Sequence, residues 1–460
     1  MRSVLPAPVS SRVDRGSIAR ELIALASPAI AQQLLHTFVF LADRLMLGRF
    51  SADALASMQI SGPVMWSLFS IGTAFAAGTI AVIGRAVGAR DAQRARHAVL
   101  AALSVALAFG LTAGVLGWAA RASIAQVLTG GDEASETVRQ AAHTYLGIVF
   151  PCLPFQFIAF IGTCALQASG DTRTPAIVAA LVHVLNVLGN WVLIYGHLGA
   201  PSLGVAGAAM ATGAAFALQA AAIVAALMLR QHAAKLVITR PTRGHVQELV
   251  RVMRVSRAAF AEKVVFHAGF LAFVGLIGRL GDVAMAANQA TIAIESIGFL
   301  TAEGFGVAGG ALVAQRLGAR QPEQAAAAGW IAVGLGAALL CLASVLFLSA
   351  PEFLVGLFVQ DRAVVELGAK CLLIGAAAQP AMGAGATLAA NLRAAGDTRT
   401  PLLAALVGTL GVRVGATYFL AFVLDLGLVG VWLGSTCDWS LRALWLALVF
   451  RVGRWQRIEV

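Results

Sequence analysis

Six polar side chains recur at helical spacing inside two long apolar stretches in the first half of the sequence. The first set stands at i, i+4 and i+11 and the second at i, i+3 and i+7, so each set lies close to one helical face. The two sets are Gln32, His36 and Asp43, and His183, Asn186 and Asn190. Two such faces could line a common pocket. There Asp43 would bind a proton or Na⁺, with the asparagine amides and His36 completing the ligand set.

Solvent exposure is the alternative for Asp43. Counted from Arg20 at about 1.5 Å per residue, Asp43 lies roughly 34 Å along its helix, close to the end of a stretch of membrane-spanning length. It could be a wetted carboxylate beside Arg44 and Arg49. His183 could likewise be a core histidine with satisfied hydrogen bonds. Spacing alone leaves both alternatives open.

The second half carries a different set of ionisable residues in its apolar stretches, namely Glu262, Glu295, Glu303 and Arg413. Asp438 and Arg442 also occur there, at the i, i+4 spacing at which opposite charges neutralise each other. Arg413 requires a carboxylate, for which Glu295 or Glu262 would serve. The carboxylates could bind ions, contact a cationic substrate or compensate buried arginine, and all three roles stay open.

Composition indicates which elements position these residues. Of the 460 residues, 59% are hydrophobic and 12% are charged, with a mean hydropathy of +0.83, whereas soluble domains have roughly 25% charged residues. Apolar runs of about 20 residues recur, and such runs cross a bilayer as helices because a helix satisfies its own backbone hydrogen bonds. The sequence therefore predicts an all-α integral membrane protein.

The net charge of +11 does not indicate nucleic-acid binding, because the arginines fall in short segments between apolar runs, where they act as orientation signals. The five cysteines have no CxxC spacing, which is typical of small core residues and not of a disulfide framework or a metal site. The one candidate metal site is a possible Na⁺ site at Asp43, Asn186 and Asn190.

Twelve membrane spans are predicted, at about residues 21–47, 56–84, 98–120, 139–167, 175–195, 204–229, 257–279, 284–315, 327–349, 364–392, 401–424 and 427–450. Lysine and arginine number 23 in the segments on the side of the two termini and 7 in the opposite segments. This bias predicts cytoplasmic termini. Because six spans return the chain to its starting side, the two halves insert as parallel repeats.

The predicted organisation is a cytoplasmic tail (1–20), a six-helix bundle (21–229), a cytoplasmic linker (230–256), a second six-helix bundle (257–450) and a second cytoplasmic tail (451–460). Within the linker, apolar residues at i, i+3, i+4 and i+7 predict an interfacial amphipathic helix. They are Val246, Leu249, Val250 and Met253. A solvated loop is the alternative.

The two halves share motifs whose order carries a family resemblance. Residues 170–175 read GDTRTP and recur at 396–401, and Gly88-Ala89-Arg90 recurs as Gly318-Ala319-Arg320. Further matching segments are residues 41–43 (LAD), 84–90 (GRAVGAR), 166–175, 203–209, 295–299 (ESIGF) and 315–320. From about Ile18 to Arg451 the sequence resembles the multidrug and toxic compound extrusion (MATE) family.

The resemblance implies twelve transmembrane helices in two parallel six-helix repeats around a central cleft. The cleft would open alternately to each side while an organic, often cationic compound leaves against entering H⁺ or Na⁺. Asp43 falls on the first-span acid that binds the coupling cation, and Asn186 matches the fifth-span asparagine of that pocket. Asn190 stands where some members carry Asp, so a lone carboxylate favours H⁺ over Na⁺. The tenth span lacks the acid found in another branch of the family.

The remaining polar residues of the spans are candidates for the substrate cleft, namely Gln32, His183, Glu262, Glu295, Glu303 and Arg413. No cofactor is expected. The expected partners are small organic cations and the lipid bilayer, with no nucleic acid. The expected setting is a bacterial inner membrane, where a single chain would act as a monomer.

Two other functions are alternatives to transport of this kind. A flippase for lipid-linked precursors belongs to the same superfamily, although such proteins usually carry extra spans. A membrane-embedded enzyme is the alternative from another class, but the sequence has neither a GxxxxGK[ST] phosphate loop nor an HExxH site. The prediction is therefore an antiporter and not an enzyme.

Overall fold

The computed structural model describes residues 14–128, 136–229 and 242–460. Twelve long helices follow one another in this part of the chain, and each coincides with a predicted span. They are α1 Arg15–Phe50, α2 Ala52–Gly88, α3 Ala92–Leu128, α4 Glu136–Ala168, α5 Arg173–Tyr195, α6 Val205–Leu229, α7 Arg243–Gly278, α8 Asp282–Gly318, α9 Pro322–Ser349, α10 Arg362–Ala394, α11 Arg399–Val423 and α12 Gly427–Val452.

Eleven of these helices are long and apolar enough to cross a bilayer. The exception is α12, which has sufficient length at 26 residues but carries Asp438 and Arg442, and these two charges lower its hydropathy. The predicted all-α membrane fold is confirmed. The tail before Asp14 and the linker residues 230–241 lie outside the described residues.

The repeated GDTRTP segment builds the same helix start in both halves. Gly170 adopts φ of +91°, a left-handed backbone that glycine tolerates without strain. Asp171 then caps α5, because its Oδ1 accepts the backbone N–H of Thr174 at 2.9 Å and its Oδ2 accepts the Thr174 hydroxyl at 2.6 Å. The second copy repeats this geometry at the start of α11, with a cap distance of 3.0 Å. The motif is therefore a structural turn that returns the chain into the membrane.

The amphipathic stretch predicted for the linker is helical and continuous with the seventh span, since α7 begins at Arg243. Its predicted apolar face is largely exposed, at Val246, Val250 and Met253. The opposite face is buried, and there Glu248 accepts a hydrogen bond from Arg94 of α3 at 3.1 Å. The start of α7 is therefore docked on the N-terminal bundle and is not a free loop.

The two bundles meet most closely where α2 crosses α8. A Cβ atom on Gly88 would lie 1.9 Å from the carbonyl oxygen of Gln315, and one on Gly318 would lie 2.2 Å from that of Arg85. These four residues form two equivalent pairs, because residues 85 and 88 of the first half correspond to 315 and 318 of the second. Small residues permit such close helix approach in membranes. The crossing thus lies on the pseudo-symmetry axis of the molecule.

Two similar side-chain bonds strengthen this crossing. Arg85 Nη2 donates to the Ala395 carbonyl oxygen at 2.7 Å, and Gln315 Nε2 donates to that of Ala168 at 2.8 Å. Both bonds join one bundle to the other. We call this end of the molecule, which holds the start of α1 and the turns at residues 89–91 and 319–321, the arginine-rich end.

Further contacts between the bundles lie in the same half of the molecule. The first half of α1 packs on α8 and α9 through a buried cluster that includes Leu22, Ala26 and Leu312, and Arg316 pairs with Glu21 at 2.6 Å. Near mid-height, the Trp66 ring of α2 lies 5.0 Å from the His267 ring of α7. The contacts of α1 therefore hold the bundles together at the arginine-rich end.

Candidate functional site

Asp43 faces α5 and not the arginines beside it in sequence. The side-chain nitrogen Nδ2 of Asn190 donates a hydrogen bond to Asp43 Oδ1 at 2.5 Å. Asn190 is fully buried and Asp43 is half-buried. The Cζ atom of Arg44 lies instead 4.4 Å from the ring centroid of Phe40. The structure therefore brings Asp43 and Asn190 together, as the two helical faces predicted.

Close to Asp43 and Asn190, the C-terminal ends of α1 and α5 are joined to each other. The hydroxyl of Tyr195, at the end of α5, donates to the carbonyl oxygen of Met46 in α1 at 2.7 Å. Leu47 and Ile194, both fully buried, belong to one apolar cluster one turn beyond Asp43 and Asn190. This layer separates the pair from the nearby end of the two helices.

Asn186 lies one turn from Asn190 on the same face of α5 and is 4% exposed. Within the described part of the chain, neither its Oδ1 atom nor the Oδ1 atom of Asn190 has a hydrogen-bond donor. A buried acceptor without a donor costs roughly 1–3 kcal/mol. The Asn190 oxygen beside the Asp43 carboxylate can accept a hydrogen bond from a proton on that carboxylate or coordinate a small cation, and the Asn186 oxygen lies one turn along the same face.

The two histidines of the predicted faces also meet. The ring of His36 lies 5.7 Å from that of His183, edge to face, and 6.4 Å from that of Phe69 in α2. His36 therefore lies beside α2 and α5, although its own side chain is exposed. Gln32, one turn earlier, holds a buried Oε1 atom for which the described residues provide no donor.

The second-half carboxylates form separate groups. Glu262 in α7 pairs with Arg393 of α10 at 2.8 Å, and Glu303 in α8 lies close enough to Lys263 and Arg393 to interact with their charges. Glu295, in the middle of α8, accepts a hydrogen bond from Gln379 of α10 at 2.9 Å. Gln379 was not among the predicted site residues. The sequence does contain a signal for it, because an amide next to Pro380 interrupts an apolar run.

The predicted partner of Arg413 was wrong. Its guanidinium Nε lies 2.9 Å from Asp438 Oδ2, and the same oxygen accepts from Arg442 Nη2 at 2.7 Å. Glu262 is instead paired with Arg393, and no ion pair joins Glu295 to Arg413 within the described chain. The physical reason lies in Gly408, whose missing side chain lets α12 approach α11 so closely that a Cβ atom there would lie 2.3 Å from Asp438 Oδ1.

Known proteins resemble the chain over most of its length. The sequence profile of the MatE family matches residues 28–192 and 258–419, which is most of both bundles. The chain belongs to the MatE family. The resemblance found in the repeated motifs is thereby confirmed.

Relatives cover nearly the whole of this MatE chain. A probable multidrug resistance protein NorM of Pseudomonas putida is 30% identical, with 94% of each chain covered. The Thermotoga maritima protein of the same name is 27% identical over 96% of this chain and 94% of its own.

Solved MATE structures share the fold. A multidrug resistance MATE family transporter in an outward-facing conformation superposes with a TM-score of 0.86 at 20% identity, covering 96% of this chain and 97% of that one. A Vibrio cholerae MATE transporter mutant gives 0.87 at 18% identity, covering 95% and 97%. The prediction of two parallel six-helix repeats around a central cleft is confirmed for this MatE chain.

Proposed function

We propose that the protein is a secondary active antiporter that exports organic cations in exchange for H⁺ bound at Asp43, by alternating access of the cleft between its bundles. Family membership and relatives named as multidrug resistance proteins support export of small molecules. The observation that carries the ion assignment is the Asp43 and Asn190 pair with its unpartnered acceptors. One chain holds both bundles and the cleft, so the proposed transport unit is a monomer.

The side of the membrane follows from charge. Excess lysine and arginine on the loops of the arginine-rich end supports a cytoplasmic position for that end and for both termini. The bundles are closed there by the crossing of Gly88 and Gly318. The arrangement therefore corresponds to a cleft that faces outward. The proposed setting is a bacterial inner membrane.

A proton on Asp43 would change its hydrogen bonding from acceptor only to donor and acceptor. The charged form accepts from Asn190 Nδ2, whereas the protonated form can also donate to an orphaned asparagine oxygen. The two forms therefore favour different packing of α1 on α5. The proton therefore has a different affinity for the two packings, and its binding shifts the equilibrium between them. Pro28 gives α1 a point at which it can bend.

The ligand set supports H⁺ over Na⁺. Asp43 is paired with an amide and not with a second carboxylate. A neutral carboxylic acid leaves no net charge in the pocket, which matters because a charge at membrane depth costs several kcal/mol.

One proton crossing a potential of 100 mV contributes about 2.3 kcal/mol, which would sustain a gradient of roughly 50-fold for a neutral substrate. Exchange of one H⁺ for a monovalent cation moves no net charge, so the pH gradient alone drives that export, at about 1.4 kcal/mol or tenfold per pH unit. For the cationic substrate, Glu295 and Glu303 lie on α8, and the rings of Phe299 and Trp439 lie 5.9 Å apart beside them. Aromatic faces and carboxylates together attract lipophilic cations.

The test is transport in everted membrane vesicles, with the methyl ester of a rhodamine dye as the lipophilic cation. An acid-inside pH gradient should drive dye uptake by the wild type, whereas Asp43→Asn should show none while reaching the membrane in the same amount. Asp53→Asn, which alters an exposed carboxylate at the start of α2, is the matched control and should transport normally. Uptake that follows a Na⁺ gradient and ignores the pH gradient would overturn the choice of ion. Full uptake by Asp43→Asn would overturn the site.

A further inference from the structure

The chain turns back against the C-terminal bundle after α12. Gly453 ends that helix with a φ of +77°, and Arg454–Arg457 form one 3₁₀ turn. The Trp455 ring is fully buried and stacked 4.5 Å from the Phe450 ring, and its Nε1 donates to the Phe450 carbonyl oxygen at 2.8 Å. We call residues 454–460 the C-terminal segment. Trp455 fixes the start of this segment to the C-terminal bundle.

The end of the C-terminal segment reaches from one bundle to the other. Ile458 has an extended backbone and packs on the apolar cluster of the C-terminal bundle that contains Leu392 and Leu446. Two residues further on, Val460 packs on the core cluster of the N-terminal bundle that contains Ile83 and Val99. The two apolar side chains therefore contact opposite sides of the junction between the bundles.

Two arginines of the N-terminal bundle contact the same end. Arg94 Nη2 donates to the Val460 carbonyl oxygen at 2.7 Å, and Glu459 lies close enough to Arg85 to interact with its charge. Arg94 also donates from Nε to the buried Glu248 at 3.1 Å, so its guanidinium is held from a second side. Hydrogen bonds from a charged donor are stronger than neutral ones. The N-terminal bundle therefore binds this end by an apolar contact, a charged hydrogen bond and an opposite charge.

The second GDTRTP turn forms the surface on which the C-terminal segment lies. A Cβ atom on Gly396 would lie 2.4 Å from Cγ2 of Val460 and 3.3 Å from Cγ2 of Ile458. Gly396 and its counterpart Gly170 share a left-handed backbone, with φ of +97° and +91°. At Gly170, the nearest atom to such a Cβ among the described residues is Nε2 of Gln315 at 3.6 Å, an ordinary contact. The two glycines therefore share the same backbone and differ in their contact with the C-terminal segment.

We propose that residues 458–460 are a latch that holds the arginine-rich end closed and separates from the N-terminal bundle when that end opens. The proposal rests on the proposed alternating access, in which the bundles move apart at this end. Trp455 stays with α12, because its full burial ties it to the C-terminal bundle. The contacts of Val460 with the N-terminal bundle exist only while the bundles are close. A contact made in one of two states favours that state by its own free energy.

The rate at which a covered cysteine reacts with a water-soluble maleimide reports how often the end opens, even where the open state is rare. Ala314→Cys supplies this reporter after replacement of the five native cysteines. Ala314 is fully buried, and its Cβ lies 2.6 Å from where a Cβ on Gly84 of the opposite bundle would be.

Gly396→Ala should displace the latch and raise the reaction rate at position 314 by about tenfold or more, because the apolar contact of Val460 and its bond from Arg94 are lost together. Gly170→Ala is the matched control. It imposes the same backbone strain without touching the latch, so its rate should stay close to that of the unaltered latch. Val460→Gly removes only the side chain on the N-terminal core and should raise the rate severalfold.

General loosening of the fold is measured separately at the native Cys164, which is buried within the N-terminal bundle. Kept as the sole cysteine, it should react at the wild-type rate in Gly396→Ala and in Val460→Gly. An unchanged rate at position 314 in either variant would overturn the proposal, as would equal acceleration at Cys164 or an equal effect of Gly170→Ala. Failure of the export function is distinguishable, because wild-type vesicles would then take up no dye while the latch variants still react faster.

Discussion

Closure of the arginine-rich end depends on two glycines, and Gly88→Ala tests this dependence. The new Cβ would lie 1.9 Å from the Gln315 carbonyl oxygen, whereas ordinary contact begins at 3.4 Å. The difference, 3.4 − 1.9, means that α2 and α8 must separate by about 1.5 Å, and backbone atoms cannot rotate out of the way. Overpacking of this kind costs roughly 1–3 kcal/mol, which shifts a two-state equilibrium by about 5–150-fold.

Spin labels can report this separation directly. Gln93 and Glu323 are exposed and occupy equivalent positions at the arginine-rich ends of the two bundles. After replacement of the five cysteines, cysteines at these two positions would carry the labels for pulsed electron-electron distance measurements. The wild type should show one short distance, and Gly88→Ala should show a larger share of long distances.

The matched control is Gly334→Ala in α9, where a Cβ would meet nothing within 4 Å. This variant removes a glycine from a helix without a clash, so its distances should equal those of the wild type. If folded Gly88→Ala gives the wild-type distance distribution, the close crossing of α2 and α8 does not close the molecule and the reasoning is refuted.

Three further predictions concern the site and its supports. Asn190→Ala removes the donor to Asp43 and should lower the initial rate of pH-driven uptake by about tenfold or more; an unchanged rate would contradict the role given to this bond. Asp438→Asn leaves two buried arginines without a carboxylate and should destabilise the protein by about 3–5 kcal/mol, visible as a lower Tm in detergent, and an unaltered Tm would argue against the ion triad. Trp455→Ala should release residues 454–460, because this ring is fully buried and stacked 4.5 Å from Phe450. Amide hydrogen exchange there should become faster, and continued protection would show that the bond from Arg94 to the Val460 carbonyl oxygen holds the segment alone.

The membrane spans could be predicted because hydropathy responds to length and composition alone. Helical spacing left two alternatives for Asp43, and the structure shows the one in which it faces Asn190, since both faces belong to regular α-helices. The partner of Arg413 could not be predicted in this way. Its helix is π-helical over Leu406–Arg413, which changes the angular position of Arg413 relative to a regular α-helix.

The close contact of α2 and α8 at Gly88 and Gly318 could not be predicted from the sequence, for a different reason. Both glycines belong to a motif that repeats in sequence, and the repeat was visible. Contact between the two copies depends on how the bundles pack, which local spacing does not encode. The same holds for Arg85 and Gln315, whose equivalent bonds to the opposite bundle are tertiary contacts.

Proton release on substrate binding tests the role of Asp43 most directly. Isothermal titration calorimetry of the purified protein with the rhodamine methyl ester, in buffers of different ionisation enthalpy, measures the protons released per bound dye. Because substrate and proton compete through one equilibrium, the wild type should release about one proton per dye and Asp43→Asn should bind the dye and release none. Equal proton release by both proteins, or none from the wild type, would contradict exchange at this carboxylate.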